Sequence, residues 1–103
     1  MSRQHQGEIW WAEVESARRP VLIVTRTEAL AVLSGVVVAP ITRTVRSIPT
    51  EILLGAHEGM NTPCVANFDN LQRIHRTALT TKIGELGIRS PEICTALRMM
   101  SDC

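Results

Sequence analysis

The chain is expected to fold as a small, strongly bent antiparallel barrel, mainly β with one C-terminal helix. Short runs rich in Val, Ile and Leu recur between turn residues, which is the pattern of a small all-β core. Ser90-Pro91-Glu92 is a helix start, with an N-cap Ser, Pro at the first helical position and an acid in the first turn. A length of 103 residues suits one domain spanning residues 1–103, with a core modest enough that dimerisation would help.

The elements follow in order. Gly7 to Val14 reads as a first strand, with Ile9 and Trp11 on one face and Glu8, Trp10 and Ala12 on the other. One of the adjacent Trp residues is expected in the core. The other is half-covered by a loop or forms an exposed stacking surface. Glu15 to Arg18 forms a short turn, and Pro20 to Arg26 a second strand with Pro at its first position. Its unbroken apolar run predicts burial on both faces. Thr27-Glu28 resembles an N-cap and first turn, followed by a single helical turn or an irregular loop to Leu33; Ser34-Gly35 ends it. Gly35 to Ile41 is the third strand, where Pro40 implies an edge or a bulge.

Thr42 to Ser47 is a polar, Arg-rich loop, and Thr50 to Leu54 a short strand. Gly55 to Pro63 is a loop. Cys64 to Phe68 is a strand that Leu71 to Ile74 continues or follows, and Thr81 to Leu86 is a weaker strand or helical turn. In the terminal helix Ile93, Ala96, Leu97 and Met100 share one face.

Net charge is +1, so bulk charge does not point to nucleic acid. Its distribution is more informative. Ten of the eleven basic residues are Arg, and Ser16 to Thr50 holds five Arg against one acid, Glu28. Arg presents a planar fork of donors to phosphate, where Lys is a point charge. A GC-rich genome would give the same excess of Arg. Cys64, Cys94 and Cys103 show no metal-ligand spacing, and His5, His57 and His75 have no ligand partner nearby, so no metal and no cofactor are expected. The polar start Met1 to Gln6 and the odd cysteine count suggest a reducing cytoplasm, and no apolar run is long enough for a membrane.

The strands also carry a candidate site. If Thr27 to Ser34 connects the second and third strands, the connection is centred between Leu30 and Ala31. An antiparallel pair folded about that centre sets Arg19 opposite Thr42. Opposed residues have Cβ atoms roughly 4.5–5.5 Å apart. A guanidinium and a hydroxyl at that spacing can grip one phosphate.

These residues carry a resemblance. Gly7-Glu8-Ile9-Trp10, Arg19-Pro20-Val21-Leu22-Ile23-Val24, Ala39-Pro40-Ile41-Thr42, Pro49-Thr50-Glu51-Ile52 and Val65-Ala66-Asn67-Phe68-Asp69-Asn70-Leu71 occur in one order. In that order the chain resembles the MazF/PemK toxins of type II toxin–antitoxin systems, from Gly7 to the C-terminal helix. The resemblance implies an SH3-like barrel, a homodimer, and a ribosome-independent endoribonuclease that needs no metal. It also implies a groove that takes single-stranded RNA and is blocked by a cognate antitoxin. The family's catalytic Arg falls on Arg19 and its catalytic Thr on Thr42. Many members carry a longer loop before the Arg-Pro motif. Here only Glu15-Ser16-Ala17-Arg18 stands there, so no cleavage sequence carries over.

Metal-free RNA cleavage uses the adjacent 2′-OH and leaves a 2′,3′-cyclic phosphate and a 5′-OH, which restricts the substrate to RNA. Arg19 suits the charge on the phosphorane, and Thr42 can orient the phosphate or the 2′-OH. The titratable candidates for a base are His57, His75, Glu51 and Asp69. Candidate RNA-binding residues are Arg18, Arg43, Thr44, Arg46, Asn70 and Gln72. Within the cluster Asn67, Asp69, Asn70 and Gln72, amide groups can read base edges, or Asn and Asp can simply build turns. Two other functions fit the same barrel. One is a binding module that holds RNA or an antitoxin without cutting. The other is a gyrase poison using the end of the last helix, which Met99 to Cys103 does not support.

Overall fold

A computed structural model describes residues 4–100. The polar start Met1 to Arg3 and the end Ser101 to Cys103, including the Cys103 thiol, lie outside the described residues. The strands are β1 (Glu8–Val14), β2 (Ala17–Ile23), β3 (Gly35–Thr42), β4 (Glu51–Leu54), β5 (Cys64–Asn67), β6 (Gln72–His75) and β7 (Leu79–Glu85). The helices are α1 (Thr27–Leu30) and α2 (Pro91–Met100). One antiparallel sheet runs β4-β5-β3-β2-β1-β7, with β6 also paired to β3. It curls into a half-barrel, helped by irregular pairing of β1 with β7 at Ile9/Trp10 and Trp11/Ala12.

The apolar half of β2, Val21 to Ile23, is buried on both faces, as its apolar run predicts. Leu22 joins a cluster with Ile9, Ala39, Ile52, Phe68 and Ile93. Its neighbours Val21 and Ile23 join another with Trp10, Val36, Val38 and Ile74 on the opposite face. The two Trp residues separate in the same way. Trp10 is buried and its Nε1–H donates to the Glu8 carboxylate at 3.0 Å. Trp11 is half-buried, with the Arg18 guanidinium 4.6 Å from its ring centre.

Several local expectations are corrected. The β1–β2 turn is only Glu15-Ser16, with φ of 50° and 66°, so β2 starts at Ala17 and ends at Ile23. Two left-handed residues match the twist of a two-residue hairpin. Thr27 does not cap α1; its hydroxyl accepts from the Gln6 amide at 3.0 Å. Ser90 does not cap α2. It already has helical dihedrals, and its hydroxyl donates to the Gly87 carbonyl at 2.8 Å. On α2, Ile93 and Ala96 are buried and Leu97 packs beside them, while Met100 is 41% exposed. The segment from Leu79 to Glu85 is a full strand.

Pro40 is on no edge, because β3 is the hub of the sheet. β3 pairs with β6 over Gly35 to Val38 and with β5 over Ile41 and Thr42. Pro40 stands where β3 changes partner, so its missing N–H interrupts no ladder on that side.

The sheet's open seam lies between β4 and β7. The 3₁₀ turn Ala56–Glu58 and α2 cover it, and Arg89 binds across to Glu58 at 3.0 Å and to the Leu53 carbonyl at 2.8 Å.

Candidate active site

The β2–β3 ladder pairs Val21 with Pro40, Leu22 with Ala39 and Ile23 with Val38. This is the register expected from the sequence, and continued outward it sets Arg19 against Thr42. Pairing then spreads one face across the sheet. Thr42 opposes Val65 in β5, and Glu51 in β4 opposes Asn67. Since side chains alternate, Arg19, Pro40, Thr42, Asn67 and Glu51 share a face. There Arg19, Thr42, Thr44, Arg46, Asn67 and Asn70 line an open cleft of ≈ 380 Å³. That volume falls in the range of small-ligand sites, about 300–1,000 Å³.

The loop after β3 is folded back over this cleft. The Thr44 amide donates to Thr42 Oγ1 at 3.2 Å, which fixes the hydroxyl oxygen toward the strand end. The Arg46 amide donates to Glu51 Oε1 at 2.9 Å, and Arg46 Nε donates to Glu51 Oε2 at 3.0 Å. The Glu51 side chain is 1% exposed. Burial alone would raise its carboxyl. The Arg46 amide and guanidinium and the Ser47 amide outweigh burial and hold it below its ordinary value near 4.5.

A carboxyl lowered in the folded state stabilises fully above its unfolded value. That contribution fades as pH falls through the folded value. The Arg46 amide is therefore expected to lose hydrogen-exchange protection as pH drops below about 4.5. In Glu51→Ala, which removes the acceptor, the same amide should exchange freely at neutral pH. Full protection in that variant would show that the carboxylate does not hold the loop.

The other candidate residues are dispersed. Arg18 lies outside the cleft, stacked on Trp11. Arg43 is exposed at the end of β3 and close enough to Cys64 that its charge partly offsets the upward push of burial on that thiol. Gln72 is exposed and pairs with Val38, one step along the sheet from the cleft wall. His57 lines a second cleft beside Leu53 and Ile88, and His75 Nδ1 meets Thr77 Oγ1 at 2.8 Å. Asp69 accepts from the Thr50 hydroxyl at 2.8 Å. No histidine or carboxylate is among the residues that line the Arg19 cleft. Glu51 stands behind Arg46 with both oxygens engaged, so it is not placed as a free base. Its service to Arg46 was missed from sequence, whereas Asn67, read there as either a base-edge contact or turn chemistry, stands on the cleft wall. The only available signal for Glu51 was its polar position flanking an apolar strand.

A family model described as "PemK-like, MazF-like toxin of type II toxin-antitoxin system" matches residues 5–99. The chain belongs to this family. The "Probable endoribonuclease MazF2" of Mycobacterium tuberculosis is 38% identical over 100 residues, covering 95% of this chain and 98% of that protein. Among solved structures, Mycobacterium tuberculosis toxin MazF-mt6 aligns with a TM-score of 0.79 at 40% identity, covering 87% of this chain and 91% of its own. An endoribonuclease in complex with its cognate antitoxin, from Mycobacterial species, aligns at 0.81 with 27% identity, covering 93% and 92%. Membership in the toxin family agrees with the curled sheet, and the Arg-Pro motif of this MazF/PemK-like chain opens onto the cleft through Arg19.

Proposed function

We propose that this MazF/PemK family member is a sequence-selective endoribonuclease toxin. It cuts single-stranded RNA without a metal ion, leaving 2′,3′-cyclic phosphate and 5′-OH ends, and a cognate antitoxin neutralises it by filling the same cleft. The observation that carries this reading is the joint presence of Arg19 and Thr42 on one cleft wall.

The scissile phosphate lies against Arg19, whose guanidinium donates to both non-bridging oxygens and balances the extra charge of the phosphorane. Thr42 donates a hydrogen bond from its hydroxyl to the phosphate, while its oxygen accepts from the Thr44 amide. The 2′-OH oxygen attacks phosphorus as its proton passes to solvent water, the P–O5′ bond breaks, and the departing 5′ oxygen takes a proton from water. Without an imidazole or free carboxylate among its lining residues, the cleft works through charge stabilisation and in-line positioning. Arg46, Thr44 and Asn70 hold the flanking nucleotides.

The protein acts in the cytoplasm, where its RNA is. No helix among the described residues is long and apolar enough to cross a membrane. It works as a homodimer. Leu53 and Ile88, 57% and 98% exposed at the second cleft, supply apolar surface for a protein partner.

The test is incubation of purified protein with a mixed-sequence RNA in excess EDTA. Cutting with 5′-OH ends is expected, together with resistance of the same sequence carrying 2′-deoxyribose at the cut. Cutting that needs added metal, or that proceeds through the deoxy position, would refute the mechanism. Tight binding without any cutting would leave a binding module.

A further inference from the structure

Asn67 is a buried polar residue on the cleft wall, with 6% of its surface exposed. Its amide orientation is fixed. Oδ1 accepts from the Asp69 amide at 2.9 Å and caps the 3₁₀ turn Phe68–Asn70. Nδ2 must then point the other way. Among the described residues it donates to no protein acceptor, although no side-chain polar atom is both buried and unpaired. Nδ2 therefore opens into the cleft as a donor that cannot rotate without breaking the cap.

The neighbouring polar groups are more adaptable. The Thr42 and Thr44 hydroxyls both donate and accept, and Asn70 is exposed and free to flip. Arg46 has Nε and its amide committed to Glu51, so its outer nitrogens reinforce the donor character of the same wall.

We infer that Asn67 is a specificity-determining residue that selects a keto base, uracil or guanine, next to the scissile phosphate. This rests on the RNA-cleaving reading of the cleft. Uracil O4 and guanine O6 accept from Nδ2. Cytosine and adenine carry amino groups at the equivalent positions, N4 and N6, and would set donor against donor. A buried donor left without an acceptor carries its full desolvation cost, so the wrong base is strongly rejected. The cap by itself would not require this side chain, because Asp and Ser cap as well as Asn. Only the unused amino group distinguishes Asn from them.

That equivalence supplies the experiment. Single-stranded oligonucleotides with deoxyribose throughout, and deoxyuridine in place of thymidine, are not cut by a 2′-OH mechanism. Their binding to the full chain is read by fluorescence anisotropy for U, G, C and A at each position in turn. At one position U and G should bind roughly tenfold tighter than C and A. Asn67→Ser keeps the cap and should shrink that ratio to within about twofold. Asn67→Asp should reverse it toward C and A. An unchanged ratio in Asn67→Ser, or no keto preference in the native protein, overturns the assignment. Binding is measured apart from cleavage, so a protein that discriminates bases but never cuts would refute the proposed activity and leave Asn67 its role.

Discussion

Arg19→Ala is expected to lower single-turnover RNA cleavage by on the order of 10²–10³, the usual loss when one oxyanion donor is removed. Arg19 is exposed near the start of β2, so its removal leaves no cavity and melting should be unchanged. Arg19→Lys should recover only part of the rate, because an ammonium keeps the charge and loses the fork that spans two phosphate oxygens. Thr42→Ala should cost less, since it removes one neutral donor. The rates are compared in EDTA on one defined RNA. If Arg19→Ala cuts within about threefold of the native rate, the reacting phosphate is elsewhere. If Lys replaces Arg fully, Arg19 serves only as a point charge.

Gly84→Ala should unfold the protein at ordinary temperatures or come close to it. A Cβ there would overlap the Glu58 carbonyl oxygen and stand 2.7 Å from the carbonyl carbon. Both are backbone atoms that no rotamer change can move. The contact closes the open seam, where β7 packs against the 3₁₀ turn that carries Glu58. Shifting that turn also disturbs the Gly55 amide, which donates to Glu58 at 2.7 Å, and the Arg89 ion pair at 3.0 Å. Overpacking costs about 1–3 kcal/mol where side chains can yield. With backbone on both sides the upper end applies, and about 3 kcal/mol lowers Tm by roughly 12–24 °C in a domain of this size. Gly55→Ala is the matched control, because nothing lies within 4 Å of a Cβ there. Circular dichroism melts of the two variants decide the matter. A Gly84→Ala drop no larger than that of Gly55→Ala would mean the seam opens easily.

The β2–β3 register, which leaves Arg19 and Thr42 lining one cleft, could be read from the chain because it depends on local quantities. Two apolar runs joined by a connection of known centre have one antiparallel register that keeps their core faces together, and β2 and β3 adopt it. Strand identity, the α2 start at Pro91 and the burial of Ile93 and Ala96 are legible for the same reason. Each follows from spacing within a few residues.

The tertiary structure decided what depends on residues far apart. Pro40 implied an edge from its own chemistry, yet it sits inside the hub strand because β5 and β6 divide β3 between them. Thr27 and Ser90 look like caps in isolation, but their hydroxyls bond Gln6 and Gly87 instead. Arg18 and Arg19 are adjacent and chemically alike. The alternation of β2 turns one onto Trp11 and the other into the cleft. Asn67 reads as turn chemistry, and its Oδ1 does cap a turn. That the residue stands on the cleft wall follows from the pairing of Glu51 with Asn67, which joins two strands that the sequence alone does not align. Local propensity fixes which segments are strands, while the partner of each polar atom is set by long-range pairing that brings distant segments side by side.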